Sequence, residues 1–191
     1  MNSLHPAIAA TRQWLDDIVI KHNFCPFARY VREPERIRYV LTDAGMVDLP
    51  DVLNAECKHL DDDNETATTL LILMHEEMHE FDSYLDTLAL ATQWMSSLGY
   101  DGIYQLASFH PDYQFEGEPA SAASHYTNRS PYPLFHLIRE ADIERSLAHY
   151  DGDPDDIYTA NIATANALGG DYFKDKLDAL RACPFSAPKR K

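Results

Sequence analysis

Thr68-Thr69-Leu70-Leu71-Ile72-Leu73-Met74 decides the architecture of this chain. Two β-branched residues lead into five unbroken apolar ones. The run is too short for a helix that must bury itself and has the length of a strand. On its N-terminal side, Asp48 and Pro50 stand where a helix cap and first turn belong. Val52, Leu53, Glu56, Cys57 and Leu60 follow at helical spacing. Before that helix, Ile37, Tyr39 and Leu41 alternate with Arg36, Arg38 and Val40, the period of a short strand. On the C-terminal side, Phe81, Leu85, Leu88 and Met95 stripe a long helix that Gly99 is placed to end. A third strand spans Gly102 to Phe109. Strand, helix, strand, helix, strand predicts a small sheet of three or four strands covered by helices.

The rest of the chain extends this frame. Ile8, Leu15, Ile18 and Val19 mark one face of a helix over residues 6–20, and Pro26 and Pro34 punctuate the loop after it. Leu134–Tyr150, Asp155–Leu168 and Tyr172–Ala182 read as three C-terminal helices, with Asp153-Pro154 and Gly169-Gly170 as start and stop signals. The class expected is α/β or α+β with a helical C-terminal part. Residues 1–188 form one globular domain, and 189–191 form a disordered basic tail. No linker divides the chain. Cys25-Pro26-Phe27 recurs as Cys183-Pro184-Phe185, each copy after a helix, which similar helix-exit chemistry explains.

Composition narrows the function classes. The 191 residues are 45% hydrophobic and 25% charged, enough for a real core. The formal net charge is -15, although the last three residues are all basic. A field of that sign repels phosphate backbones, so nucleic acid is not an expected partner. The longest apolar run, Leu70–Met74, is far short of the roughly 20 residues a membrane helix needs. No secretory signal opens the chain, and three scattered cysteines fit neither a disulfide framework nor a Cys-rich zinc site. The expected compartment is the cytoplasm. Asp61-Asp62-Asp63-Asn64-Glu65 lacks the spaced ligands and glycine of a calcium loop and reads as solvated surface.

His75-Glu76-Glu77-Met78-His79 matches the H-E-x-x-H pattern of zinc hydrolases. That chemistry needs both imidazoles one helical turn apart. Here the motif directly follows a strand, which separates them, and no third ligand follows. Zinc hydrolysis is therefore a minor alternative.

The stretch from Phe109 to Glu140 gathers more chemistry. His110 ends the third strand, and strand ends that open into loops are where sheet proteins place reactive groups. A proline-rigidified loop follows, carrying Tyr126, Asn128, Arg129 and Ser130. His136 and Glu140 are i and i+4 on the expected helix, spaced for joint acid–base work or metal binding. Arg129 has the forked donors that clamp a carboxylate or phosphate. Tyr126, Asn128 and Ser130 are further ligand contacts. Cys25 is a candidate nucleophile assisted by His110. It lies just past a helix C-terminus, however, where the dipole raises a thiol pKa, and Phe24 and Phe27 flank it as they would a buried residue. Each of these groups also has a structural reading, as an ion pair or a loop tie.

Asn23-Phe24-Cys25-Pro26-Phe27-Ala28, Phe109 through Phe115, Asn128-Arg129-Ser130-Pro131-Tyr132-Pro133 and His136-Leu137-Ile138-Arg139-Glu140 together resemble a bacterial family known as domain of unknown function 1415. Tyr158 to Gly169, with Asn161, resembles it too, so the likeness spans nearly the whole chain. It implies that these blocks are the family's hallmark and that His75–His79 is not part of it. It implies no activity.

Two functions fit. One is an enzyme acting on a small anionic substrate through His110, His136, Glu140 and Arg129. The other is a non-catalytic module that binds a ligand or a protein. Neither cofactor nor oligomeric state is legible. A pocket joining His110, Arg129 and His136 would favour the enzyme.

Overall fold

A computed structural model describes residues 4–182. The basic tail 189–191 and the second Cys-Pro-Phe copy lie outside the described residues.

The sheet has four strands: β1 (Ile37–Thr42), β2 (Thr68–Leu73), β3 (Tyr104–Phe109) and β4 (Leu134–Arg139). Their order is β1-β2-β4-β3. β1 and β2 run parallel, joined by helix α3 (Leu49–Asp62). β4 lies antiparallel to both β2 and β3, so β2 and β3 point the same way with β4 inserted between them. Helix α4 (Phe81–Ser97) makes the β2-to-β3 crossover.

Both faces of the sheet are covered, which explains why every residue of β2 is buried and why its sequence is an apolar run instead of an alternation. One face packs Leu71, Leu73, Phe135 and Leu137 against α3 and α4. The opposite face packs Ile72 and Leu134 against α1 (Pro6–Trp14) and α7 (Gly170–Ala182). In α1, Ala7, Ala10, Thr11 and Trp14 form the buried stripe, with His5 Nδ1 accepting the Ala7 N–H at the cap. The helical path continues as a π-helical turn, Leu15–Ile20. Helices α2 (Ala28–Arg32), α5 (Glu140–Ala148) and α6 (Pro154–Leu168) complete the fold. Asp153 caps α6 through the Asp155 N–H, and Gly169 ends it at φ 82°, a left-handed value open to glycine.

The expected sheet covered by helices is what the chain forms, as is the helical C-terminal part. One element differs. Leu134–Arg139 is a strand, not the start of a helix, and the helix begins only at Glu140. Leu134, Phe135, Leu137 and Ile138 fit a helical stripe on paper. They are apolar because a central strand needs apolar groups on both faces. His136 therefore stands on a strand, and the expected one-turn helical pairing of His136 with Glu140 does not exist.

Candidate functional site

The sheet face turned toward α1 leaves a cavity of about 310 Å³. Its floor is β2 Thr68 and Leu70, β4 His136 and Ile138, and β3 Ala107 and Phe109. These six share a face because Leu70 and Ala107 flank His136 in register, and residues two apart point the same way. Trp14 and the π-turn residues Leu15 and Val19 form one wall. Cys25 and Phe27 form a second, and Ile143 and Ser146 of α5 a third. Trp14 stacks edge-on to Phe109 (centroids 5.3 Å apart), and Phe109 lies 6.5 Å from the His136 ring.

His136 and Thr68 are the polar side chains of the floor. Its Nε2 lies 2.7 Å from Thr68 Oγ1. Removal from water pushes its pKa down to about 4 from 6.5, so the ring is neutral at physiological pH. The residue is half-buried, and the cavity lies against it. Cys25 is held by its loop: Phe24 N–H donates to Val19 O, and Asn161 Nδ2 donates to Phe24 O (2.8 Å). Burial pushes the Cys25 thiol up, against a smaller downward pull from the N–H groups of Phe27 and Ala28. Those two N–H groups belong to the start of α2, a helix not visible in the sequence pattern. The thiol thus faces a helix beginning as well as following a helix end, yet desolvation still dominates. The charged residue on the lining, Asp142, sits near Arg145 (2.9 Å) and Arg139 (3.8 Å).

Of the residues expected to act, Cys25 and His136 come together around this cavity; the others do not line it. His110 follows Phe109 and so points to the opposite face. It is fully buried, with Nε2–H donating to Met78 O (3.0 Å) and Nδ1 accepting the Asp112 N–H (3.0 Å). Phe81 and Tyr84 pack against it. Arg129 donates from Nε to Tyr113 O (3.1 Å) and lies over the Tyr126 ring at 4.5 Å. Its carbonyl accepts Trp14 Nε1–H (2.9 Å). Tyr126 stacks on Phe173, Asn128 Nδ2 donates to Ser108 O, and Ser130 Oγ donates to Tyr132 O. The Arg129–Pro133 block therefore braces the approach to β4. Glu140 opens α5 with its N–H on Ile103 O.

Within the motif, Glu76–His79 forms a single 3-10 turn between β2 and α4, with extended backbone at its caps, His75 and Glu80. One such turn does not stack residues i and i+4 as an α-helix does. Met78 of the motif is a buried plug, whereas His79 is exposed. His75 and Glu77 border a separate, polar cleft with Asp43, Asp48 and Asp86. Among the described residues, no three His, Cys, Asp or Glu side chains are grouped to hold a metal ion. Also among them, no helix is long and apolar enough to cross a membrane.

Sequence reasoning missed Thr68, Ala107, Phe109 and Trp14 as parts of a site. A usable signal existed at Thr68, a hydroxyl opening an otherwise apolar central strand.

No curated protein and no solved structure matches the chain. A family model described as "Protein of unknown function (DUF1415)" matches residues 6–175, which takes in every strand and all the cavity walls. The chain belongs to the DUF1415 family.

Proposed function

We propose that this protein binds a small, predominantly apolar molecule in the cavity between the sheet and helices α1, α2 and α5. The observation that carries this reading is the cavity itself. At about 310 Å³ it is at the lower end of the range for small-molecule sites. Its lining is aromatic and aliphatic, with a few polar groups of the kind that orient a ligand. The π-turn on its wall is of a type found frequently at functional sites. An anionic substrate suits this cavity poorly, because no Lys or Arg lines it and Asp142 carries the same negative charge as the substrate would.

The test is a fluorescence titration of the full chain with 1-aminoanthracene, a neutral apolar probe. Saturable one-to-one binding is expected, and Ala107→Phe, which fills the floor, removes it while the chain stays folded. A flat titration, or unchanged binding in Ala107→Phe, would overturn the reading.

One observation favours catalysis as a second reading: Cys25 and His136 line the same cavity. The thiol would act as nucleophile and the imidazole as its base. Burial opposes both roles, since it keeps the thiol protonated and the imidazole weakly basic. Formation of an acyl-enzyme with p-nitrophenyl acetate, lost in Cys25→Ser, would establish this reading; its absence would leave binding alone.

A further inference from the structure

Thr68 has one hydroxyl proton, and two neighbours compete for it. Oγ1 makes a short contact with the Leu137 carbonyl oxygen and lies 2.7 Å from His136 Nε2. A carbonyl oxygen can only accept, so the Thr68 proton goes to Leu137 O. Oγ1 must then accept from His136, which places a hydrogen on Nε2. The ring is neutral, so Nδ1 carries a lone pair and no hydrogen. Nδ1 has no hydrogen-bond partner among the described residues. It is also not one of their fully enclosed unpaired side-chain atoms, which are Arg32 Nε, Tyr39 Oη and Ser124 Oγ. It is therefore reachable, on a ring that faces the cavity.

We infer that His136 Nδ1 is a preset hydrogen-bond acceptor that selects uncharged apolar ligands carrying a donor, such as an alcohol, a phenol or a ring N–H. This rests on the cavity being a ligand site. Ligands with only acceptors, and carboxylates above all, meet a lone pair with nothing to give it. Thr68 is a positioning residue: its hydroxyl fixes the tautomer of the His136 ring. The cavity's apolar walls strengthen the preference, because inside them an unmade hydrogen bond has no water to replace it.

The experiment uses three probes of one shape at pH 7: indole, with a ring N–H; benzothiophene, without one; and benzothiophene-2-carboxylate, an anion. Calorimetric titration of the full chain gives each affinity. Indole and benzothiophene differ in hydration, so the readout is how their affinity ratio changes between the native chain and His136→Phe. That substitution keeps a flat ring and removes the acceptor. The ratio is expected to fall roughly five- to tenfold, the scale of one neutral hydrogen bond, with the carboxylate weakest on the native chain. An unchanged ratio with both neutral probes bound overturns the acceptor role and leaves the cavity reading standing. So does a carboxylate that binds tightest. If no probe binds the native chain, the cavity reading falls and this inference with it. Should His136→Phe fail to fold, nitrogen NMR of the native chain decides the matter. It should show Nε2 protonated, Nδ1 unprotonated, and an Nδ1 signal that moves with indole and not with benzothiophene. The opposite tautomer overturns the inference.

Discussion

His136 on β4 and Thr68 on β2 form a hydrogen-bonded pair (2.7 Å) on the floor of an apolar cavity, two positions apart in the strand register.

The pair makes stability depend on pH. The folded pKa of His136 is lowered to about 4 from 6.5, so the unfolded chain takes up the proton first. Stability is full above pH 6.5 and declines as the pH falls toward 4, by at most about 3 kcal/mol from this group. The buried His110, also shifted downward by loss of water, adds in the same direction. Urea unfolding at pH 7.5 and 4.5 should show a smaller difference in His136→Phe than in the native chain.

Thr68→Val keeps the shape and removes the hydroxyl. It leaves the His136 Nε2–H unpaired and takes the donor from Leu137 O. A loss of about 1–3 kcal/mol is expected, and Thr68→Ser should recover part of it. Urea midpoints at constant m-value measure both.

His110 separates structure from function. Its two nitrogens are satisfied by Met78 O and the Asp112 N–H, on the face away from the cavity. His110→Ala should destabilise the chain by about 2–4 kcal/mol through lost packing and unpaired backbone groups. It should leave 1-aminoanthracene affinity within twofold of native. A large loss of affinity in a folded His110→Ala would place this residue back in the site.

Cys25 should be a slow thiol. Burial raises its pKa, and only the thiolate reacts quickly. Iodoacetamide at pH 8 is expected to modify Cys25 in the folded chain at least about tenfold more slowly than in urea, as followed by peptide mass mapping. Bound 1-aminoanthracene should slow it further, since the thiol lines the cavity.

Much of the fold was legible because burial leaves periods in a sequence. The Thr68–Met74 run, the stripe of α4 and the Asp153 cap of α6 all mark what they become. β4 was misread because burial on both faces erases the alternation that identifies a strand. The site was legible only in part, for a related reason. Phe109 and His110 are adjacent in sequence, yet the pleat sends them to opposite faces, so clustering along the chain joined residues that the sheet separates. Cys25 and His136 lie more than a hundred residues apart. Only the insertion of β4 between β2 and β3 brings them to one cavity, and that long-range pairing leaves no local trace.

The inserted strand also sets an order of assembly. β4 is the last of the four to leave the ribosome, yet it occupies a central position. Until residue 139 has emerged, β2 and β3 have no partner between them, and β2 presents an unpaired apolar edge. A nascent chain halted before Leu134 would thus be sticky, one extended past Arg139 could complete the cavity floor, and one extended past α5 would be the first able to add its last wall. A ligand held in that cavity would report that the inserted strand has taken its place.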